Sequence, residues 1–330
     1  MSTIGEIGED ALIALFAPRL PTADATLLGP GDDAAVLAID GDLVVSSDVL
    51  IEGRHFRRDW SSGADVAWRA AMQNLADIDA MGAVAVALQV TLAVPPQLDV
   101  DWLLDFADGL REACAPHGVG VVGGDLSGAR EIAVSVTALG ETHGTQPVTR
   151  AEAMPDDVVA VSGPLGAAAA GLALLEARVG VGTGVDLAAV GLFRRPRPRI
   201  GAGLEAALRG ATAMMDISDG LLRDAGRIAR ASDVGVAVDS SLVPVHEAAL
   251  EAASELAAHA QAGGSSAGAG GGASAWALTG GEDHHLIATF ARRDDLPPGW
   301  TQVGVVTDEF RGVRVDGQIP SHLGWDHFGA

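Results

Sequence analysis

The sequence predicts two domains in succession, an α+β half with short mixed strands and a second unit of strands and helices, each half carrying strand–acid–helix units. Three observations carry this. The 330 residues suffice for two domains with cores of ordinary size. Short apolar runs alternate with stretches of helical spacing. Acidic residues fall in six clusters beside Gly or Ser, each following or ending an apolar run, which places them at strand ends and turns.

Residues 1–17 read as an amphipathic helix, with Ile4, Ile7, Leu12, Ile13 and Phe16 near helical spacing. Residues 34–50 alternate as two strands around Asp40-Gly41-Asp42, a hairpin signal. Ala64 to Met81 is helical, stopped by Gly82. Strands at 84–93 and 132–140 bracket a helix at 100–116. The first domain is assigned to residues 1–150 and the second to 151–330. The second has a buried strand, Asp157 to Ser162, and a helix from Gly166 to Arg178. Arg194-Arg195-Pro196-Arg197-Pro198-Arg199 forms a basic turn, equally a solvated connector or a phosphate contact, and leads into a helix to Arg209. Helices at 219–231 and 245–260 flank a strand at 234–239. Gln261 to Ser274 is a Gly/Ala/Ser tract without core-forming residues, read as a flexible loop. Strand resumes at Trp276 to Thr279 and at Leu286 to Phe290.

Composition excludes several functions. The net charge of -23 argues against nucleic acid as a partner, because backbone binding needs clustered cations. All 21 cationic side chains are Arg. Without Lys there is no P-loop lysine, protein-kinase strand lysine or Schiff base. Phosphate must then be held by Arg, backbone N–H groups and metal. Cys114 is the single cysteine, which removes disulfides and thiol redox pairs, and its helical setting reads as buried packing. No apolar run spans a membrane and Met1 opens no signal peptide, so a soluble cytoplasmic protein is expected.

Gathered in one cleft, so many carboxylates repel one another, and oxygen ligands select hard cations such as Mg2+. Gly31-Asp32-Asp33 is a glycine turn with adjacent acids, which also suits simple punctuation. Ser46-Ser47-Asp48 offers hydroxyl and carboxylate oxygens after a strand; a helix N-cap uses the same residues. Asp77 and Asp79 oppose the dipole at a helix C-terminus. Asp77 shares a face with Asn74 and is the preferred ligand, while one of the two acids is expected to face solvent. Gly123-Gly124-Asp125 ends a Val-rich strand with backbone amides able to approach phosphate. Asp216-Ile217-Ser218-Asp219 stands at the mouth of a helix beginning near Gly220, and Gly280-Gly281-Glu282-Asp283 repeats the Gly-Gly-acid form.

These segments, with Gly53-Arg54-His55-Phe56, Asn74 to Asp77 through Gly82 and the terminal Trp325-Asp326-His327-Phe328, occur in one order. In that order the chain resembles the bacterial thiamine-monophosphate kinases of the aminoimidazole-ribonucleotide-synthetase-like superfamily, over nearly its whole length. The resemblance implies an N-terminal mixed sheet that forms a barrel with a second subunit's, and a C-terminal α/β sandwich. It implies ATP-dependent phosphorylation of thiamine monophosphate with several Mg2+ ions. Asp33, Ser46, Ser47, Asp48, Asp77, Asp125, Asp216 and Asp219 would be metal ligands. Gly124, Arg150 and Ser218 would contact ATP; His55, Glu282 and Trp325 would contact the thiamine phosphate. His284-His285 and Leu126-Ser127-Gly128 depart from the family pattern. The acceptor is already anionic, so direct in-line attack on the γ-phosphorus needs no side-chain nucleophile. An aminoimidazole ribonucleotide synthetase, a Mg-dependent phosphohydrolase and a non-catalytic Mg2+-binding module are the other readings.

Overall fold

The computed structural model describes residues 2–7, 9–30, 34–179, 187–262 and 272–326. Asp33, His327, Phe328 and most of the expected loop at 261–274 therefore lie outside the described residues. The chain divides into two compact units, Met1–Asp79 with Ala83–Gln146, and Ala80–Gly82 with Pro147–Ala330.

The first unit has helices α1 (Ile4–Ile7), α2 (Glu9–Phe16), α3 (Gly63–Ala80) and α4 (Val100–Cys114). Its strands are β1 (Thr26–Leu28), β2 (Val36–Leu37), β3 (Leu43–Ile51), β4 (Val84–Val94), β5 (Gly120–Gly128) and β6 (Ala133–Glu141). The single helix expected over 1–17 is two short ones. The hairpin expected at Asp40-Gly41-Asp42 does not form: β2 pairs with β1, and all nine residues of β3 pair antiparallel with β6. The turn is held instead by residues a hundred positions on. The Asp40 N–H donates to Glu141 Oε2 at 2.6 Å and the Asp42 N–H to Thr142 Oγ1 at 3.0 Å.

The sheet runs β3-β6-β4-β5 and is open, so no closed barrel is seen among the described residues. α3 stops where Gly82 adopts φ +71°. Its apolar stripe is buried through Ala67, Ala71, Leu75 and Ile78. Gly109 brings α4 close to it: a Cβ there would lie 2.5 Å from the Cα of Ala64. Cys114 is wholly buried, and burial pushes its thiol up to about 12, consistent with packing alone.

The second unit contains β7 (Val158–Val161), α5 (Ala167–Glu176), α6 (Ala188–Arg194), α7 (Ala202–Leu208), β8 (Ala211–Asp216) and α8 (Leu221–Ala231). It continues with β9 (Gly235–Val238), α9 (Glu247–Gln261), α10 (Gly272–Thr279), β10 (Leu286–Phe290), β11 (Thr301–Thr307) and β12 (Gly312–Val315). The sheet order is β12-β9-β11-β7-β10-β8, with only β9 and β12 parallel. Alternate residues feed two cores. Val159, Val161, Met215 and Ile287 pack with Leu221, Leu222 and Ile228 of α8. Ala160, Met214, Ala288 and Phe290 pack with Ala202 and Ala206 of α7. The expected strand at Trp276–Thr279 is the helix α10, and α6 was not anticipated.

Candidate active site

In the first unit, Ser46, Ser47 and Asp48 lie in the middle of β3, not at its end. The two-residue strand period therefore divides them. Ser46 Oγ donates to Asp77 Oδ2 of α3 at 2.7 Å, and Gln73 Nε2 of α3 donates to Asp48 Oδ2 at 3.2 Å. Ser47 faces the other way, its Oγ donating to the Val136 carbonyl at 3.0 Å and accepting from Thr137 Oγ1 at 3.3 Å. It does not join Ser46 and Asp48 through its side chain. Neither late-helix acid faces solvent freely: Asp77 is half-buried and Asp79 is 3% exposed.

Strand β5 continues through Gly123-Gly124-Asp125 to Gly128, so these residues do not end it either. Register places Asp125 opposite Thr91, Thr91 opposite Ser135, and Ser135 opposite Val49. Opposed residues share a face, so Asp125 lies on the side of the sheet that carries Ser47. Ser127 Oγ donates to Asp125 Oδ2 at 2.6 Å. At Gly124 a Cβ would come 1.7 Å from the Val90 carbonyl oxygen. Gly124→Ala is accordingly expected to force β5 from β4 and to lower stability by about 2 kcal/mol or more, measured by urea denaturation.

His55 lies in the turn after β3, where its Nδ1 accepts the Ile51 N–H at 3.0 Å and leaves Nε2 as the ring's donor. Two of its neighbouring guanidiniums are already engaged. Arg57 pairs with Asp59 at 2.6 Å and stacks on Trp60; Arg58 pairs with Glu52 at 2.6 Å.

In the second unit, three distant segments are joined by main-chain bonds. The Glu282 N–H donates to the Ser218 carbonyl at 2.9 Å, the His284 N–H to Ile217 at 3.1 Å, and the Ile217 N–H to His285 at 2.7 Å. The Trp325 N–H donates to the Asp219 carbonyl at 2.9 Å. Gly281 permits this closeness, since a Cβ there would lie 2.1 Å from the Ser218 oxygen. Ser218, Asp219, Glu282 and Trp325, expected from sequence to serve ATP, metal and acceptor, are thus brought together. Arg150 is not. Its carbonyl accepts Ser232 Oγ at the far end of α8, which puts its backbone about 16 Å from Asp219, the length of that helix.

Sequence reasoning missed the groups that hold these acids. Asp216 is 4% exposed and meets His284 Nδ1 at 3.3 Å. Asp219 is paired with Arg227, whose Nη1 also reaches Asp224 Oδ1 at 2.5 Å. Asp224 is wholly buried and accepts the Asp219 N–H at 3.0 Å. Burial, then the negative charge of Asp216, pushes its carboxyl up to about 7. Asp224 and Arg227 stand three residues apart on α8, spacing that from sequence reads as a surface ion pair. Asp283 points elsewhere, accepting the N–H groups of Gly166 at 2.5 Å and Ala168 at 2.9 Å at the start of α5. Burial raises its carboxyl above the ordinary range.

His285 beside it is pushed down to about 4, mainly by burial and then by His246 and His284. A histidine depressed in the folded state binds fewer protons than the unfolded chain between its ordinary value and 4, so stability falls as pH drops through that window. The expected loss is about 3 kcal/mol, seen as a lower urea midpoint at pH 4.5 than at pH 7 and removed in His285→Gln.

Among the described residues, no three Asp, Glu, His or Cys side chains gather as a metal cage. The expected ligands are nonetheless all carboxylate or hydroxyl oxygens, the donors a hard cation selects. The guanidinium on Asp219 shows a carboxylate whose charge a cation relieves.

The two units correspond to the two domains of the AIR synthase related proteins. The N-terminal domain of that family matches residues 31–142 and its C-terminal domain residues 154–316. The thiamine-monophosphate kinase of Mycobacterium tuberculosis is 41% identical over 99% of this chain and 93% of its own. That of Escherichia coli K12 is 34% identical over 97% and 98%. Among solved structures, AaThiL complexed with AMPPCP and TMP superposes with a TM-score of 0.76 at 32% identity, covering 99% of both chains. The thiamine-monophosphate kinase of Stenotrophomonas maltophilia K279a gives 0.74 at 33%, covering 94% and 96%. The chain belongs to the thiamine-monophosphate kinase family within the AIR synthase related proteins.

Proposed function

We propose that the chain transfers the γ-phosphoryl group of ATP to thiamine monophosphate, forming thiamine diphosphate. The observation that carries this reading is the main-chain joining of Ser218, Asp219, Glu282 and Trp325, in a chain similar over its full length to kinases of that name. Ser46, Asp48 and Asp77 in the first unit, Asp125 on the other sheet face, and Asp216 and Asp219 in the second would hold Mg2+, with Asp33 from the sequence pattern. Bound Mg2+ supplies charge neutralisation at the phosphate oxygens.

The rest falls to the chain. Gly124 exposes backbone N–H to phosphate, and Ser218 offers a hydroxyl beside the metal-holding acids. His55 donates from Nε2 to the acceptor's phosphate, while Glu282 and Trp325 orient its organic part, Trp325 by stacking on a cationic ring. The acceptor oxygen is already ionised, so attack is direct and in line, without a phosphoenzyme. Arg150, beside the far end of α8, would act on the nucleotide away from the transferred group.

A homodimer is part of the proposal, as is a cytoplasmic setting. β3 is a sheet edge, and Leu43, Val45 and Val49 on the Ser47 face are exposed. A second copy of the sheet would cover them and complete a barrel. No described helix is long and apolar enough to cross a membrane.

A coupled ADP-release assay tests the reaction. Turnover is expected only with thiamine monophosphate present; ADP release without an acceptor would instead mark a hydrolase. EDTA is expected to stop turnover and added Mg2+ to restore it. Isolation of a phosphorylated enzyme competent to form product would rule out direct transfer.

A further inference from the structure

The second unit also holds a cavity of about 650 Å³ whose lining the proposed reaction does not use. Its charge runs against that of the chain. Arg195 and Arg197 of the basic turn after α6 line it, with His246 and His285. The one carboxylate among its described lining residues, Asp283, is occupied by the N–H groups of Gly166 and Ala168.

Two helices begin at this wall, α5 at Ala167 and α9 behind its N-cap His246. The bridge between Leu165 and Val245 fixes these starts side by side: Leu165 N–H donates to the Pro244 carbonyl at 2.8 Å, and His246 N–H to Leu165 at 2.9 Å. Both positive dipole ends therefore lie near the same space. His246 Nδ1 accepts the Ala248 N–H at 3.1 Å, which leaves its Nε2 as a donor. His285 packs its ring over Gly163, and its Nδ1 is buried without a hydrogen-bond partner. The remaining wall is apolar, from Pro164, Leu192 and Pro196.

We propose that this cavity binds a small organic phosphate, its phosphate on Arg195 and Arg197 and its apolar part against Pro164, Leu192 and Pro196. Two guanidinium forks one residue apart suit a group with several acceptor oxygens. The α9 N-terminus adds anion preference without a lysine, the first N–H groups of α5 being taken by Asp283. The site is separate from the transfer site, because His284 turns to Asp216 while its neighbours Asp283 and His285 line the cavity.

The test is calorimetric titration of the full chain in EDTA, with phenyl phosphate as probe and phenol as control. Phenyl phosphate is expected to bind and phenol not. The double variant Arg195→Gln/Arg197→Gln is expected to weaken binding at least about tenfold, and Asp216→Ala to leave it unchanged. Arg197 is exposed, so Arg197→Glu decides the matter if the double variant fails to fold. The proposal is overturned by no binding at about 10 mM probe, by equal binding of phenol, or by variants that bind as the parent does. Loss of binding in Asp216→Ala would also overturn it, by placing the probe at the transfer site.

Discussion

Asp216→Ala is expected to reduce turnover by about a thousandfold or more while leaving the fold intact, because it removes a carboxylate proposed to hold Mg2+ at the transferring phosphates. The fold should tolerate the change well. Asp216 is buried beside Asp219 and Asp224, and its charge helps push the Asp224 carboxyl up to about 7. Taking it away relieves repulsion between like charges, so the melting temperature is expected to match or exceed that of the parent. Steady-state ADP release and a thermal melt on the same preparation check both halves. Near-full activity would remove Asp216 from the proposed metal-holding set.

Asp283→Ala is expected to do the reverse, striking stability first. Its two oxygens accept from Gly166 and Ala168, so the substitution leaves two buried N–H groups at the start of α5 without acceptors. At the energy of hydrogen bonds to a charged or strongly polar acceptor, the loss is about 4 kcal/mol, read from urea denaturation. Activity per folded molecule should fall less than in Asp216→Ala. Retained stability would mean that the α5 terminus finds other acceptors.

The helices α3 and α4 were legible because their apolar stripes are long enough to show a period, and Gly82 marks the end of α3. Trp276 to Thr279 was not: four apolar or small residues carry no period, and only packing of Ala277 into the core makes them helix. The pairing of β3 was hidden for another reason. Its hairpin signal was local, while its true neighbour β6 lies about ninety residues away in sequence. Glycines at 123 and 124 read as a strand end, yet β5 runs on through them because Gly124 sits against the Val90 backbone.

At the site, the Gly-acid segments were visible as motifs and their backbone joining was not. Nothing in Asp216-Ile217-Ser218-Asp219 signals that its carbonyls meet the amides of Glu282, His284 and Trp325. The division of Ser46, Ser47 and Asp48 between two faces follows directly from strand period once the segment is known to be strand. Asp224 escaped notice because a single acid on a helix looks like a solvated face until its burial is known.

The joining of Ser218, Asp219, Glu282 and Trp325 is made between peptide groups. Position and chemistry are thereby separable here. A residue that tolerates the local backbone keeps these peptide hydrogen bonds, so substrate preference can drift by exchange of side chains on an unmoved track. Gly281, where a Cβ would collide with the Ser218 oxygen, is the point at which that freedom ends.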